Sequence, residues 1–217
     1  MSNIIPVNDN KGPVAEYEKK LASGHLMPDR AQAVLAQQLQ ILLQKIETLE
    51  NNSKSFTWKK RLGFKENRQI EIKGLYIYGD VGRGKSMLMD LFYSSIQIKK
   101  KRRVHFHAFL QDIHLRFNLF RKNNPEGGDP VPAVVKSIVE ESKLLCFDEL
   151  QVVNIVDAMI LGRLFEGLLS HNVIIIATSN RPPDDLYKDG LQRERFLPFI
   201  KLLKNNLNIE YLGASKD

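Results

Sequence analysis

An α/β fold, a parallel sheet with helices on both faces, is predicted by three observations. From residue 74 onward, short apolar runs alternate with longer helix-like ones, the strand-then-helix rhythm of a parallel sheet. Runs such as VIIIA at 173–177 are apolar throughout rather than alternating, as a strand buried on both sides requires. The first run, GLYIY, leads into GDVGRGKS and then an apolar helical stretch, the context of a phosphate-binding loop.

The elements follow in chain order. Asp29 followed by Gln32 makes a capping-box pattern, and Leu35, Leu39, Leu42, Ile46 and Leu49 recur at helical spacing, so 27–50 reads as one amphipathic helix packed on the body of the protein. Residues 51–73 are polar and basic, with NNSKS as a loop and Trp58, Leu62 and Phe64 as scattered anchors. Together 1–73 form an N-terminal helical segment and linker, and 74–217 the core. In the core, GLYIYG, RVHFHAF, KLLCFDE, NVIIIATSN and NIEYLG read as strands. KSMLMDLFYSSI, LQDIHLRFNLF, AVVKSIVEES, VDAMILGRLFEGLLS and a stretch around 191–205 read as helices, with NNPEGGDPVP as a loop.

At 217 residues, 43% hydrophobic and 26% charged, the chain suits a globular protein with one good-sized core, and no stretch is apolar for long enough to span a bilayer. The N-terminal MSNIIPVNDNKGPVAEYEKK lacks the basic start and apolar block of a secretory signal, so a cytosolic protein is expected. Cys146, the single cysteine, sits inside LLCF and reads as a small buried hydrophobe. A net charge of +7 suits nucleic acid, an acidic membrane surface, or nothing specific. Its densest run, KKKRR at 99–103, has no interleaved aromatic residues to stack on bases and reads as a solvated turn.

Gly79, Gly84, Lys85 and Ser86 fit G-x-x-x-x-G-K-[ST]. Glycines there let several N–H groups aim inward, and the helix opening at Lys85 adds its positive end, so Gly79, Asp80, Val81, Gly82, Arg83, Gly84, Lys85, Ser86 and Met87 form the expected phosphate cradle. Lys85 would reach the β- and γ-phosphates and the Ser86 hydroxyl would sit on Mg2+. The apolar run Leu144 to Phe147 ends in Asp148 and Glu149, where Asp148 is placed to hold Mg2+ and Glu149 to polarise an attacking water. Asn180, after VIIIATS, either approaches the same place and positions water or makes an Asx turn before Arg181-Pro182-Pro183. In LQRERFLPF, Arg193 and Arg195 are either solvated or, in a ring-forming nucleotidase, fingers entering a neighbour's site. His105 and His107 share one face of a predicted strand, but no third ligand is evident, so packing or a partner contact is preferred over a metal.

GLYIYGDVGRGKSMLMDLFY, RVHFHAFLQDIH, LLCFDELQVVNIVDAMILGRLF and ATSNRPPDDLYKDGLQRERFLPFI together resemble the ZapE/AFG-type AAA+ ATPase family, from the N-terminal helix to the last strand. The resemblance implies a P-loop NTPase of the AAA+ type with strand order 5-1-4-3-2, hydrolysing ATP with Mg2+. It implies Walker A at Gly79–Ser86, Walker B at Asp148 and Glu149, and sensor 1 at Asn180. Arg195 matches the arginine finger, with Arg193 as second choice. It further implies a homo-oligomer acting on a protein partner, FtsZ or another division-ring component, at the division septum or the inner-membrane surface, with nucleic acid not expected. Asp80 stands where the family often has Gly, and Leu150 and Asn154 where Phe and Asp are usual. Family members continue into a helical lid carrying the sensor 2 arginine, whereas this sequence stops at GASKD, so a lid-less chain is expected. Two other functions suit the same motifs: a nucleic-acid-associated AAA+ ATPase such as a helicase loader, and a nucleotide-gated scaffold that binds its partner without Glu149.

Overall fold

The computed structural model describes residues 11–60 and 72–213, with 52–60 as backbone. The described residues fall into two compact units, 11–60 with 86–98, and 72–85 with 99–213.

The first unit contains α1 (Pro13–Ala22), α2 (Arg30–Lys60) and, from Ser86 onward, α3 (Lys85–Ser95). Pro13 at the first helical position starts α1, a helix not among the elements expected from the sequence. The Asp29 carboxylate caps α2, accepting from the N–H groups of Ala31 at 2.8 Å and Gln32 at 3.1 Å. Leu35, Leu39, Leu42 and Ile46 are buried on one stripe, as their spacing requires. The NNSKS loop is not formed: α2 continues to Lys60, because neither Gly nor Pro interrupts 30–60 and polar residues are tolerated in a helix. The Trp58 side chain, Leu62 and Phe64 lie outside the described residues.

The second unit is built on the sheet. Its strands are β1 (Gly74–Tyr78), β2 (Lys101–His105), β3 (Leu144–Asp148), β4 (Ile174–Ser179) and β5 (Leu207–Tyr211), all parallel, in the order β2-β3-β4-β1-β5. Read from the other edge, this is the 5-1-4-3-2 order implied by the resemblance. Helices α4 (Phe106–Asn123), α5 (Pro130–Glu141), α6 (Ile155–Ser170) and α7 (Leu197–Asn206) pack in succession. They share a core with Tyr76, Leu145, Phe147, Ile175 and Ala177. Leu75, Ile77, Leu144, Cys146 and Ile176, on the opposite face of the strands, are buried as well, which is why these runs are apolar throughout. Burial pushes the Cys146 thiol above its usual range, in keeping with a packed, unreactive side chain.

Three boundaries differ from expectation. RVHFHAF is not one strand, since β2 ends at His105 and α4 starts at Phe106. Phe106, Phe109, Leu110, Ile113 and Phe117 form one buried helical stripe, and the first two of these extend the apolar run that reads as strand. KKKRR is not a solvated turn; Lys101, Arg102 and Arg103 lie on β2, the edge strand, where charge also discourages pairing with another sheet. The stretch around 191–205 is a short 3-10 turn, Arg193–Arg195, followed by α7, which begins where Pro198 fits the first helical turn.

An aromatic chain ties the helices to β3. Phe147 lies with its ring centroid 4.7 Å from Phe109, 5.4 Å from Phe106 and 5.8 Å from Phe165, and Phe165 meets Phe199 edge-on at 5.0 Å. This packing fixes Phe147, the residue before Asp148 at the end of β3.

Candidate nucleotide-binding site

The loop 79–84 leaves the carboxyl end of β1 and enters α3 at Lys85. Gly79 is the only residue type that fits its position, since a Cβ there would lie 2.1 Å from the Leu212 carbonyl oxygen. Its N–H donates to Ser179 at 3.3 Å, and the Leu212 N–H donates to Tyr78 at 2.7 Å, so the start of the loop is tied to β4 and β5. Gly84 takes a φ of 88°, a left-handed conformation just before the helix. At the far end the Arg83 guanidinium donates to the Gly213 carbonyl at 2.9 Å.

Lys85 is buried, and its Nζ donates to the carbonyl oxygens of Gly79 and Asp80, both at 2.7 Å. The ammonium thus lies in the concavity of its own loop, satisfied by backbone acceptors that a phosphate oxygen could replace. Burial holds it below the usual lysine range, with the Asp80 and Glu149 carboxylates pulling the other way.

Adjacent strands bring the other expected residues to the same edge of the sheet. β1, β4 and β3 are neighbours, and Gly79, Asn180 and Asp148–Glu149 stand at their carboxyl ends, where open parallel sheets collect ligands. The turn after β3 is fastened to β4 three times: Glu149 N–H to Thr178 Oγ1 at 3.1 Å, Leu150 N–H to the Thr178 carbonyl at 2.7 Å, and Ser179 Oγ to the Leu150 carbonyl at 2.8 Å. Glu149 itself has a φ of 58°, an uncommon conformation for a non-glycine residue, and its side chain is exposed. Asn180 is exposed as well, and among the described residues its carboxamide makes no hydrogen bond. An Asx turn is not available to it, because the residue two positions on is Pro182, which has no N–H; the Ser179 hydroxyl takes the Arg181 N–H instead, at 3.2 Å.

Asp148 is buried and already paired. Arg103 on β2 donates from Nε to Oδ2 at 2.7 Å and from Nη2 to Oδ1 at 3.1 Å, a fork onto both carboxylate oxygens. Arg103 pairs in register with Cys146, two residues before Asp148, so it projects from the same face of the sheet. In the sequence this residue is hidden in a basic run; the signal for it is strand periodicity on the neighbour of β3. Asp148 fits Mg2+, a hard cation that takes oxygen donors and is commonly held by one or two carboxylates together with substrate phosphates. Among the described residues no group of three or more His, Cys, Asp or Glu is placed to hold a metal unaided. His105 and His107 do not form a pair on a strand, since one ends β2 and the other lies in α4 beside Gln111 at 3.1 Å.

Arg193 and Arg195 flank the 3-10 turn differently. The Arg193 guanidinium donates to the Asp184 carbonyl, whereas Arg195 is exposed and its side chain makes no hydrogen bond among the described residues. The Asn154 side chain caps α6 through the Val156 N–H at 2.8 Å, the capping an aspartate would provide, and Leu150 is buried in the core.

The chain is 50% identical over 67% of its length to Lactation elevated protein 1 homolog B of Danio rerio, of which it spans 30%. It is 35% identical over 94% of its length to Cell division protein ZapE of Escherichia coli K12, of which it spans 55%. AMPPCP-bound DnaA from Aquifex aeolicus, at 14% identity, shares the fold with a TM-score of 0.55 over 95% of this chain and 51% of that one. No helix among the described residues is long and apolar enough to cross a membrane. The AFG1-like ATPase family matches residues 11–217, and with the parallel five-stranded P-loop fold this chain belongs to that family.

Proposed function

We propose that this chain binds and hydrolyses ATP as the nucleotide-handling part of an AAA+ ATPase that acts on a protein partner. One observation carries the reading: the Gly79–Lys85 loop, the Asp148–Glu149 pair and Asn180 stand together at the carboxyl ends of three neighbouring strands. Gly79 to Met87 receive the phosphates through backbone N–H groups, and Lys85 exchanges its two loop carbonyls for β- and γ-phosphate oxygens. The Ser86 hydroxyl and Asp148 would hold Mg2+, which when bound would supply positive charge against the phosphate oxygens. Glu149 lies on a turn pinned to β4 and orients the attacking water, with the free Asn180 carboxamide beside it on the next strand. Arg195 reaches a neighbouring copy, and Arg193 anchors its segment. The partner is a division-ring component such as FtsZ, a reading supported by the division role in the name of the E. coli relative, and the site of action is the cytoplasm, with recruitment to the septum or inner-membrane surface.

Glu149→Gln separates binding from turnover. ATP affinity should stay within about threefold of the parent while hydrolysis falls by about 10²-fold or more. Turnover at the parental rate would remove Glu149 from the role given to it. A pull-down with this nucleotide-locked variant should retain a division-ring component when ATP is present, and retention of single-stranded DNA instead would favour a helicase-loader function.

A further inference from the structure

We infer that Arg103 is a positioning residue that acts as a resident counter-cation for Asp148, suppressing capture of free divalent metal so that Mg2+ enters only together with the nucleotide. The inference rests on Asp148 being the metal donor. A buried carboxylate without a cation is costly, and one filled by free metal in advance would oppose arrival of the metal–triphosphate complex. Arg103 meets the first need without a metal. Its guanidinium engages both oxygens of Asp148, at 2.7 and 3.1 Å, and both side chains are sheltered, Asp148 the more deeply, at 8% exposed against 19% for Arg103. Permanently charged, it cannot leave the pair by losing a proton. A cation in this position repels a second cation at the same carboxylate, and the repulsion is strong where water is scarce. Triphosphate changes the balance, because its negative oxygens supply ligands and charge that Asp148 alone lacks. The planar fork also gives a role to the basic residue that half-buried β2 carries on the face it shares with Cys146 and Asp148.

The test measures Mn2+ binding by electron paramagnetic resonance, without nucleotide, in the parent, Arg103→Gln and Arg103→Lys. Gln keeps a hydrogen-bond donor but removes the charge, so affinity for free Mn2+ should rise by about tenfold or more; Lys keeps the charge and should bind as weakly as the parent. Unchanged or weaker Mn2+ binding in Arg103→Gln, with parental circular dichroism, overturns the inference and leaves the Glu149 reading untouched. A Mn2+ site gained in Arg103→Gln that survives the added Asp148→Asn overturns both the inference and the assignment of Asp148 as donor. The parent protein gives a readout free of folding effects: the 15N resonance of Arg103 Nε should move on adding Mg2+ with AMPPCP and stay in place with Mg2+ alone. Movement with Mg2+ alone also overturns the inference.

Discussion

Gly79 shows how a single residue decides the site. The loop must leave β1 against the backbone of Leu212, and the 2.1 Å gap to that carbonyl leaves no room for a Cβ, while a φ of 156° adds strain for any L side chain. Gly79→Ala should therefore displace the end of β5 or the loop itself, lowering stability by about 1–3 kcal/mol in urea titrations and weakening nucleotide binding by about tenfold or more. Parental stability together with parental affinity would mean that the close approach does not position the cradle. Lys85 and Glu149 carry the opposite kind of constraint. Lys85 is held by acceptors that can be exchanged, and Glu149 is held in a left-handed turn by hydrogen bonds of its backbone and its neighbours, leaving the carboxylate free to act. The phosphate loop and the acidic pair are legible in the sequence because each is a local pattern of residue types at fixed spacing. The Arg103–Asp148 pair is not, because it joins positions 45 residues apart and is created by strand pairing.

At the scale of elements, α4 and α5 are clamped on the side of the sheet that carries β2. Arg116 on α4 reaches Glu141 on α5 with two bonds, at 2.7 and 2.8 Å, and Asp112 at 3.1 Å, while Arg102 from β2 donates to the other Asp112 oxygen at 2.8 Å. Burial alone would raise Asp112, but the hydrogen bonds from Arg116 and Arg102 outweigh it and hold the carboxyl below its usual value of 3.8. Its folded value is thus below its unfolded value, so the stability it contributes is present above about pH 4 and lost as pH falls through the folded value. Asp112→Asn should cost about 1–2 kcal/mol at pH 7, and the gap to the parent should close as unfolding is repeated below pH 4. A gap independent of pH would assign the loss to packing alone. The element types are legible in the periodicity, but boundaries are not where an apolar run crosses from strand to helix, as at His105–Phe106, or where polar residues continue a helix without a breaker, as in α2. The basic run at 99–103 is illegible for a related reason: charge on an edge strand looks like a turn until its partners Asp112 and Asp148 are in place.

For the whole molecule, the decisive question is whether one copy suffices. Gly79–Lys85, Asp148, Glu149 and Asn180 lie within one compact unit, so under the proposed function each chain would bring its own loop lysine and its own water-orienting group. Arg195 differs from all of these, being exposed and without a side-chain hydrogen bond among the described residues, on a turn that Arg193 fastens to Asp184. An arginine presented in this way can stabilise transition-state charge in a second copy, and a heterologous contact between copies would repeat around a closed ring. Mixing two defective proteins isolates that arrangement. Arg195→Ala retains Glu149 but lacks the finger, and Glu149→Gln retains the finger but cannot turn over, so each alone should hydrolyse ATP about 10²-fold or more slowly than the parent. In an equimolar mixture, a site with Glu149 intact meets a neighbour with Arg195 intact at about one junction in four if copies assort at random, and activity should recover towards that fraction of the parent. Recovery should rise with protein concentration, because it depends on association. If the mixture stays as inactive as its components while both variants still assemble, Arg195 does not act across copies.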